Sequence, residues 1–280
     1  MNHKKIDFES TYFNLFELTE GIYAAMSRND SGVSESAGFF DLGNHIIVFD
    51  TYLHPGAARD LYKAIKKFYD KDPSFIINSH YHTDHIFGNC IFPENIPIIS
   101  NHLTLEKIRE TGFDQLEHQR EIADQEILRR EEMLKSNDGP WGEVEICNDL
   151  EFYKYVKDPN FKIRLPDFLI KEKLLINGTK KRVHLIPFGG GHTESDIIAY
   201  FPNEKICFMG DLLFADLDES WAPTETARFN ALDPLKLYEI LNSIVEKDIE
   251  TYVPGHGELS TREAVLMNMN FIKKYYIDNS

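Results

Sequence analysis

The sequence predicts an α/β protein built as two stacked, mixed β-sheets with helices on the outer faces. Three observations carry this. Short β-branched and aromatic runs bounded by turn residues alternate with amphipathic stretches. Extra strand runs crowd the front of the chain, before the first helical stretch. The runs number about twelve, more than one ordinary open sheet holds, so two sheets are needed.

In chain order the strand runs are "GIYAAMS" from Gly21, "AGFFDLG" from Ala37, "HIIVFDT" from His45, "SFIINS" from Ser74 and "IPIIS" from Ile96. Then come "KRVHLIPF" from Lys181, "DIIAYFP" from Asp196, "KICFMGD" from Lys205 and "TYVPG" from Thr251. "LGN" at 42–44 reads as a hairpin turn. "HPGAARDLYKAIKKFYDK" sets Leu61, Ile65 and Phe68 on one helical face, with Pro55 suited to a first turn. "DPLKLYEILNSIVEKD" opens with Asp233 as N-cap and Pro234 at the next position, and Leu237, Ile240, Leu241 and Ile244 form its apolar stripe. "STREAVLMNMNFIKKYYID" is a third amphipathic helix with a Ser/Thr cap.

The middle differs. From Leu103 to Arg130 the chain is heavily charged and helical in pattern, and the stretch after Arg130 mixes Gly, Pro and aromatic residues. The whole reads as one domain, 1–280, with a mostly helical insertion at about 103–170. Two readings of the insertion are open: a cap over a site that selects the substrate, or a solvated helical hairpin.

Composition narrows the function classes. The formal net charge is −16 and the sequence pI about 5.1. An acidic surface repels phosphate backbones, so neither nucleic acid nor anionic membrane is expected as a partner. Cys90, Cys147 and Cys207 are odd in number and form no CxxC pair, which argues against a disulfide framework and a cysteine-rich zinc site. The first residues are basic and then acidic without an apolar core region, so the cytoplasm is the default expectation.

The chemistry sits in "NSHYHTDHIFGN", residues 78–89, which holds His80, His82, Asp84 and His85. Other short apolar runs end the same way. "IIVF" leads to Asp50, "HLIPFGGG" to His192, "ICFMG" to Asp211 and "TYVPG" to His256. Ligand sites in α/β proteins gather beyond the carboxyl ends of strands. Five imidazoles and two carboxylates can therefore converge: His80, His82, His85, His192, His256, Asp84 and Asp211. One zinc ion commonly takes four ligands, so seven donors fit two ions sharing a carboxylate. His80 and His82 alternate along an extended segment and point to one side, while Asp84 and His85 turn toward a second ion. His3, His45, His54, His102, His118 and His184 show no such grouping.

"FDT" at 49–51, "HYHTDH" at 80–85, "GGGHTESD" at 189–196, "GD" at 210–211 and "PGHG" at 254–257 together resemble the metallo-β-lactamase-fold superfamily. The resemblance implies the αββα sandwich. It implies His80, His82 and His192 on one metal, Asp84, His85 and His256 on the other, and Asp211 bridging. Asp50 resembles the superfamily's buried aspartate behind the site. The segment 103–170 matches no part of that pattern. The β-lactamase subclass with a cysteine ligand has it where this chain has Asp211, so the ligand set is more similar to glyoxalase II-type thioesterases, lactonases and general hydrolases.

Two divalent ions about 3.5–4 Å apart activate a shared water near neutral pH for attack on a carbonyl carbon. Asp84 and Asp211 are the candidate proton carriers. The reading is a hydrolase of esters, thioesters, lactones or amides of a small molecule. The resemblance also implies the alternatives: a mononuclear iron persulfide dioxygenase-like oxidoreductase with its iron on His80, His192 and Asp211, or a β-lactamase-like activity. Nitrogen and oxygen ligands suit zinc first, with iron or manganese also compatible. Phe214 and Trp221 follow a candidate ligand closely and either line the pocket or pack beneath it; Tyr52 to Pro55 is a further candidate pocket loop.

Overall fold

The computed structural model describes residues 3–136, 141–215, 217 and 230–278. Its first sheet runs, neighbour to neighbour, β1 (Lys4–Lys5), β2 (Phe13–Thr19), β3 (Ile22–Ser27), β4 (Ala37–Asp41), β5 (Ile46–Phe49), β6 (Phe75–Ile77), β7 (Ile98–Asn101) and β8 (Phe168–Ile170). The pairings are antiparallel from β1 to β5 and parallel from β5 to β8. The second sheet holds β9 (Leu174–Asn177), β10 (Arg182–Pro187), β11 (Ile197–Phe201), β12 (Ile206–Phe214) and β13 (Thr251–His256) in sequence order. It is antiparallel except for the parallel β12–β13 pair. The helices are α1 (Pro55–Phe68), α2 (Thr83–Ile86), α3 (His102–Lys107), α4 (Phe113–Ser136), α5 (Glu143–Lys157), α6 (Pro234–Val245) and α7 (Arg262–Ile272).

The burial pattern stacks these elements as helix, sheet, sheet, helix. One apolar cluster joins the first sheet to α1 through Phe39, Val48 and Ile76 against Leu61 and Ile65. A second joins β12 to α6 and α7 through Leu213, Leu241 and Val265. Between the sheets, Phe40 meets Phe201 edge-on with centroids 4.8 Å apart, and Phe208 packs against both Phe40 and Phe49. Each fully buried ring of this kind stabilises the stack by roughly 1.5–3 kcal/mol, which holds the strand ends in fixed relation. The expected caps form: Pro55 opens α1, Asp233 Oδ1 accepts the N–H groups of Leu235 and Lys236, and Thr261 caps α7. The turn at 42–44 forms too, with Gly43 donating to Asp41 Oδ1.

The structure adds strands that sequence patterning does not reveal. β2, "FNLFELT", buries Phe13 and Leu15 on alternate positions, a signal obscured by the charged residues before it. β8 and β9 are sheet edges whose side chains are largely exposed, and their apolar runs, "FLI" and "LLI", are only three residues long. The segment expected as an insertion, 103–170, carries α3 to α5 but ends in β8, which pairs with β7 as part of the first sheet. The helices also have an apolar cluster of their own. Leu116, Ala123, Phe152 and Val156 pack on Ile86 and Phe87, which lie just beyond the histidine-rich segment. Among the described residues no helix is long and apolar enough to cross a membrane.

Candidate metal centre

Strand ends and one short helix place the donor side chains. β5 ends at Phe49 and hands the chain to Asp50; β6 ends at Ile77, and His80 comes three residues later. His82 is extended, at φ −62° and ψ 144°, and α2 then begins, so Asp84 and His85 leave in a different direction. His256 is the last residue of β13. Asp211 departs from expectation: it lies inside β12, which continues to Phe214 through an irregular register at Gly210. Gly210 has φ +53°, a conformation L side chains rarely adopt. A Cβ on Gly255, across the β12–β13 pair, would overlap Asp211 Oδ1.

All seven candidate ligands come together, in two groups that share Asp211. His80, His82, His192 and Asp211 form the first group, and Asp84, His85, Asp211 and His256 the second; within each, the donor atoms lie within 4.8 Å of one another. In the first, His192 Nε2 is 3.1 Å from His82 Nδ1 and 3.3 Å from Asp211 Oδ2. In the second, Asp84 Oδ2 is 3.3 Å from the Nε2 atoms of both His85 and His256.

The donors fit divalent ions by a further test. His80 Nε2, His85 Nε2 and Asp211 Oδ1 are buried and make no hydrogen bond. His85 Nε2 and Asp211 Oδ1 are 3.1 Å apart yet not aligned for one. Buried polar atoms are rarely left so. Three of them aimed into one space, among imidazole and carboxylate groups, make a donor set suited to zinc, iron or manganese.

Partners behind the rings orient them. His85 Nδ1 donates to Asp50 Oδ2 at 3.0 Å, and Asp50 Oδ1 accepts Ser79 N–H at 2.7 Å. Ser79 Oγ lies 2.9 Å from His80 Nδ1, and Asn230 O accepts from His192 Nδ1 at 2.8 Å. Each contact occupies one ring nitrogen and turns the other toward the shared space. Asp50 thus stands behind the site, as the resemblance implies. Ser79 and Asn230 are not legible from sequence, because a serine and a backbone carbonyl carry no motif. Asp196, in the quoted "HTESD", accepts from Thr193 N–H and Thr193 Oγ and so closes the turn that presents His192. Burial pushes its carboxyl up to about 8. Phe214 is buried, its ring stacked on His256 at 5.9 Å, so it packs against the site. Trp221 lies outside the described residues.

Electrostatics separates the two groups. Burial pushes His80 well below the ordinary histidine value and His82 down to about 4, so both are neutral at physiological pH. Burial also opposes charge on His85 and His256, but the carboxylates facing them win. Asp211, Asp84 and Asp50 hold His85 well above its usual value, and Asp211 with Asp84 raises His256 to about 10. Binding a metal at the second group therefore expels protons from His85 and His256, whereas His80 and His82 carry none, and proton release makes affinity fall as pH falls. In a chelator competition run from about pH 8 to about pH 6, across the histidine range, the ion at Asp84, His85 and His256 is expected to leave first. Loss of the ion at His80, His82 and His192 first would contradict this.

A family model described as the metallo-beta-lactamase superfamily matches residues 31–256. The chain belongs to the metallo-beta-lactamase superfamily. Solved structures agree on the fold. A metallo-beta-lactamase from Pontibacter korlensis aligns with TM-score 0.65 and 15% identity, covering 93% of this chain and 99% of that one. The FIM-1 metallo-beta-lactamase from Pseudomonas aeruginosa, in a mono-zinc form, aligns with TM-score 0.66 and 13% identity, covering 95% and 97%. At such identities the likeness shows the metallo-beta-lactamase fold alone. A curated relative, 2,4-dinitroanisole O-demethylase subunit alpha from Nocardioides sp. (strain JS1661), is 24% identical over 262 residues, or 89% of this chain. The chain spans 57% of that relative's length. Proteins of this superfamily fold bind metal ions, often zinc.

Proposed function

We propose that this metallo-beta-lactamase superfamily chain is a dinuclear metal-dependent hydrolase of small molecules. The observation that carries the proposal is the pair of four-residue donor groups sharing Asp211, with orphaned nitrogen and oxygen atoms turned inward. His80, His82, His192 and Asp211 would hold one ion, and Asp84, His85, Asp211 and His256 the other. When bound, such ions lower the pKa of water toward neutrality and polarise the oxygen of the bond to be cleaved.

The chain's own groups do the rest. Asp84 and Asp211 differ in access: the Asp84 side chain is 28% exposed, that of Asp211 2%. Asp84 is therefore the carboxylate placed to take a proton from an incoming nucleophile and return it to the leaving group. Asp211 stays ionised. Burial alone would neutralise it, but the charged His85 and His256 beside it hold its carboxyl well below the usual range. A buried permanent anion between the two groups offsets the positive charge brought there. Leu53 and Phe87 border the mouth beside His82 and Asp84 and exclude water from one side.

The test is metal analysis of protein purified without chelators, followed by assay of the zinc-loaded protein on an ester, a thioester, a lactone and an amide. About two ions per chain and turnover of at least one substrate are expected. A single iron per chain with no hydrolysis would overturn the proposal. Because one relative is named for 2,4-dinitroanisole O-demethylation, the panel includes that activated aryl methyl ether. Cleavage of it alone would assign the same site to ether rather than acyl substrates.

A further inference from the structure

α4 borders an opening beside the site, and two of its residues line it. A cavity of about 300 Å³ is bordered on one side by His82, Thr83 and Asp84, on a second by Leu53 and Phe87, and on the third by Gln115 and Gln119. The glutamines are four residues apart on one helix, so their side chains lie one above the other on the same face. Gln115 is exposed and Gln119 half-buried. Between them, Leu116 anchors the helix to the protein, so both residues are kept beside the opening.

The charge of the lining points to one class of ligand. Among the described residues, no lysine or arginine borders the cavity. Lys107, on α3, is engaged by Glu110 at 3.0 Å and Glu194 at 3.4 Å. Arg120, next along α4, turns the other way to the carbonyls of Val156 and Phe161. The Asp84 carboxylate faces the same opening. Among the described residues, then, the protein offers an anionic group at this wall no lysine or arginine to pair with. The amide N–H groups of Gln115 and Gln119 are the donors, with the Thr83 hydroxyl, that the wall offers.

We propose that Gln115 and Gln119 form a specificity clamp. They hydrogen-bond an uncharged, acceptor-bearing substituent of the substrate, such as a carbonyl, ether or nitro group, at the end remote from the bond that is cleaved. The inference rests on the hydrolase reading of the same site. It gives the helical segment a role that its position outside the motif pattern does not announce: it holds acceptor groups through neutral amides and offers no side-chain cation for a carboxylate.

The experiment compares three para-substituted phenyl acetates on the zinc-loaded protein: nitro (a neutral acceptor), carboxylate (an anion) and methyl (no acceptor). Each variant is compared with wild type on the same ester, so intrinsic reactivity cancels. Two neutral hydrogen bonds are together equivalent to about tenfold in binding. The double variant Gln115→Ala, Gln119→Ala is expected to raise KM for the nitro ester about tenfold at unchanged kcat, with the methyl ester and the zinc content unaffected. Gln119→Lys is expected to lower KM for the carboxylate ester. Independently of turnover, nitrobenzene added to 15N-labelled, zinc-loaded protein should shift both side-chain amide signals saturably. If the esters turn over but neither variant changes the pattern, the clamp is wrong and the hydrolase stands. If no ester turns over while nitrobenzene still shifts the amides, the hydrolase reading fails and the clamp stands. Nitrobenzene without effect on the amides overturns the clamp whatever the turnover.

Discussion

Asp211→Ala is expected to abolish turnover and to strip metal from both groups at once. Among the described residues no other side chain belongs to both, and its two oxygens face different sets of rings. Oδ1 is 3.1 Å from His85 Nε2, while Oδ2 is 3.3 Å from His192 Nε2 and 3.4 Å from His256 Nε2. Loss of an outer-shell partner weakens a metal site by roughly 10–100-fold, so loss of a shared inner ligand should cost roughly a thousandfold or more in kcat/KM. Electrostatics offsets only part of this loss, by lessening proton competition at the second group. Without this carboxylate the histidines of the second group lose the largest force that raises them against burial. Folding is expected to survive, because the strands around Asp211 are held by the apolar layers on either side. Circular dichroism checks the fold, and metal analysis with a steady-state assay checks the rest. A variant that retains two tightly bound ions and full activity would show that the site does not bridge through Asp211.

The second large effect is expected at a residue that touches no metal. Asp50 is buried at φ 57°, a left-handed backbone conformation that aspartate and asparagine tolerate better than most residues. Asp50→Asn therefore leaves backbone and volume nearly unchanged and isolates the loss of one acceptor. The carboxylate accepts two N–H groups, one from Ser79 and one from His85 Nδ1. An amide has one oxygen, so one of those N–H groups must face an NH2. The cheapest response is rotation or tautomer change of the His85 ring, which turns its lone pair away from the second group. Metal affinity there should fall by about 10–100-fold, with the ion of the first group less affected. Competition with a chelator reports this as a biphasic loss. A monophasic titration indistinguishable from wild type would mean that Asp50 does not set the His85 tautomer.

Which groups are candidates for the chemistry is legible in the chain before any folding. Imidazole and carboxylate are properties of residue type, and the spacing of His80, His82, Asp84 and His85 is local. The two layers of sheet are legible for the same reason: the runs from Gly21 through Ile99 and from Lys181 through Thr251 include strands buried on both faces, which read as nearly continuous apolar stretches. How the donors are shared is a tertiary property. His82 and His192 meet across 110 residues, and no local period records that contact. Ring orientation is equally hidden, since Asp50 lies 35 residues from His85 and Asn230 38 residues from His192. The same holds for the helical segment. Gln115 and Gln119 read in sequence as two polar positions of a charged helix. They become the wall of a cavity only because the apolar stripe through Leu116 and Ala123 packs α4 onto Ile86 and Phe87, next to the ligands. Local periodicity specifies which face of a helix is buried; the partner it is buried against is set by three-dimensional packing, and here that partner is the segment that carries the site.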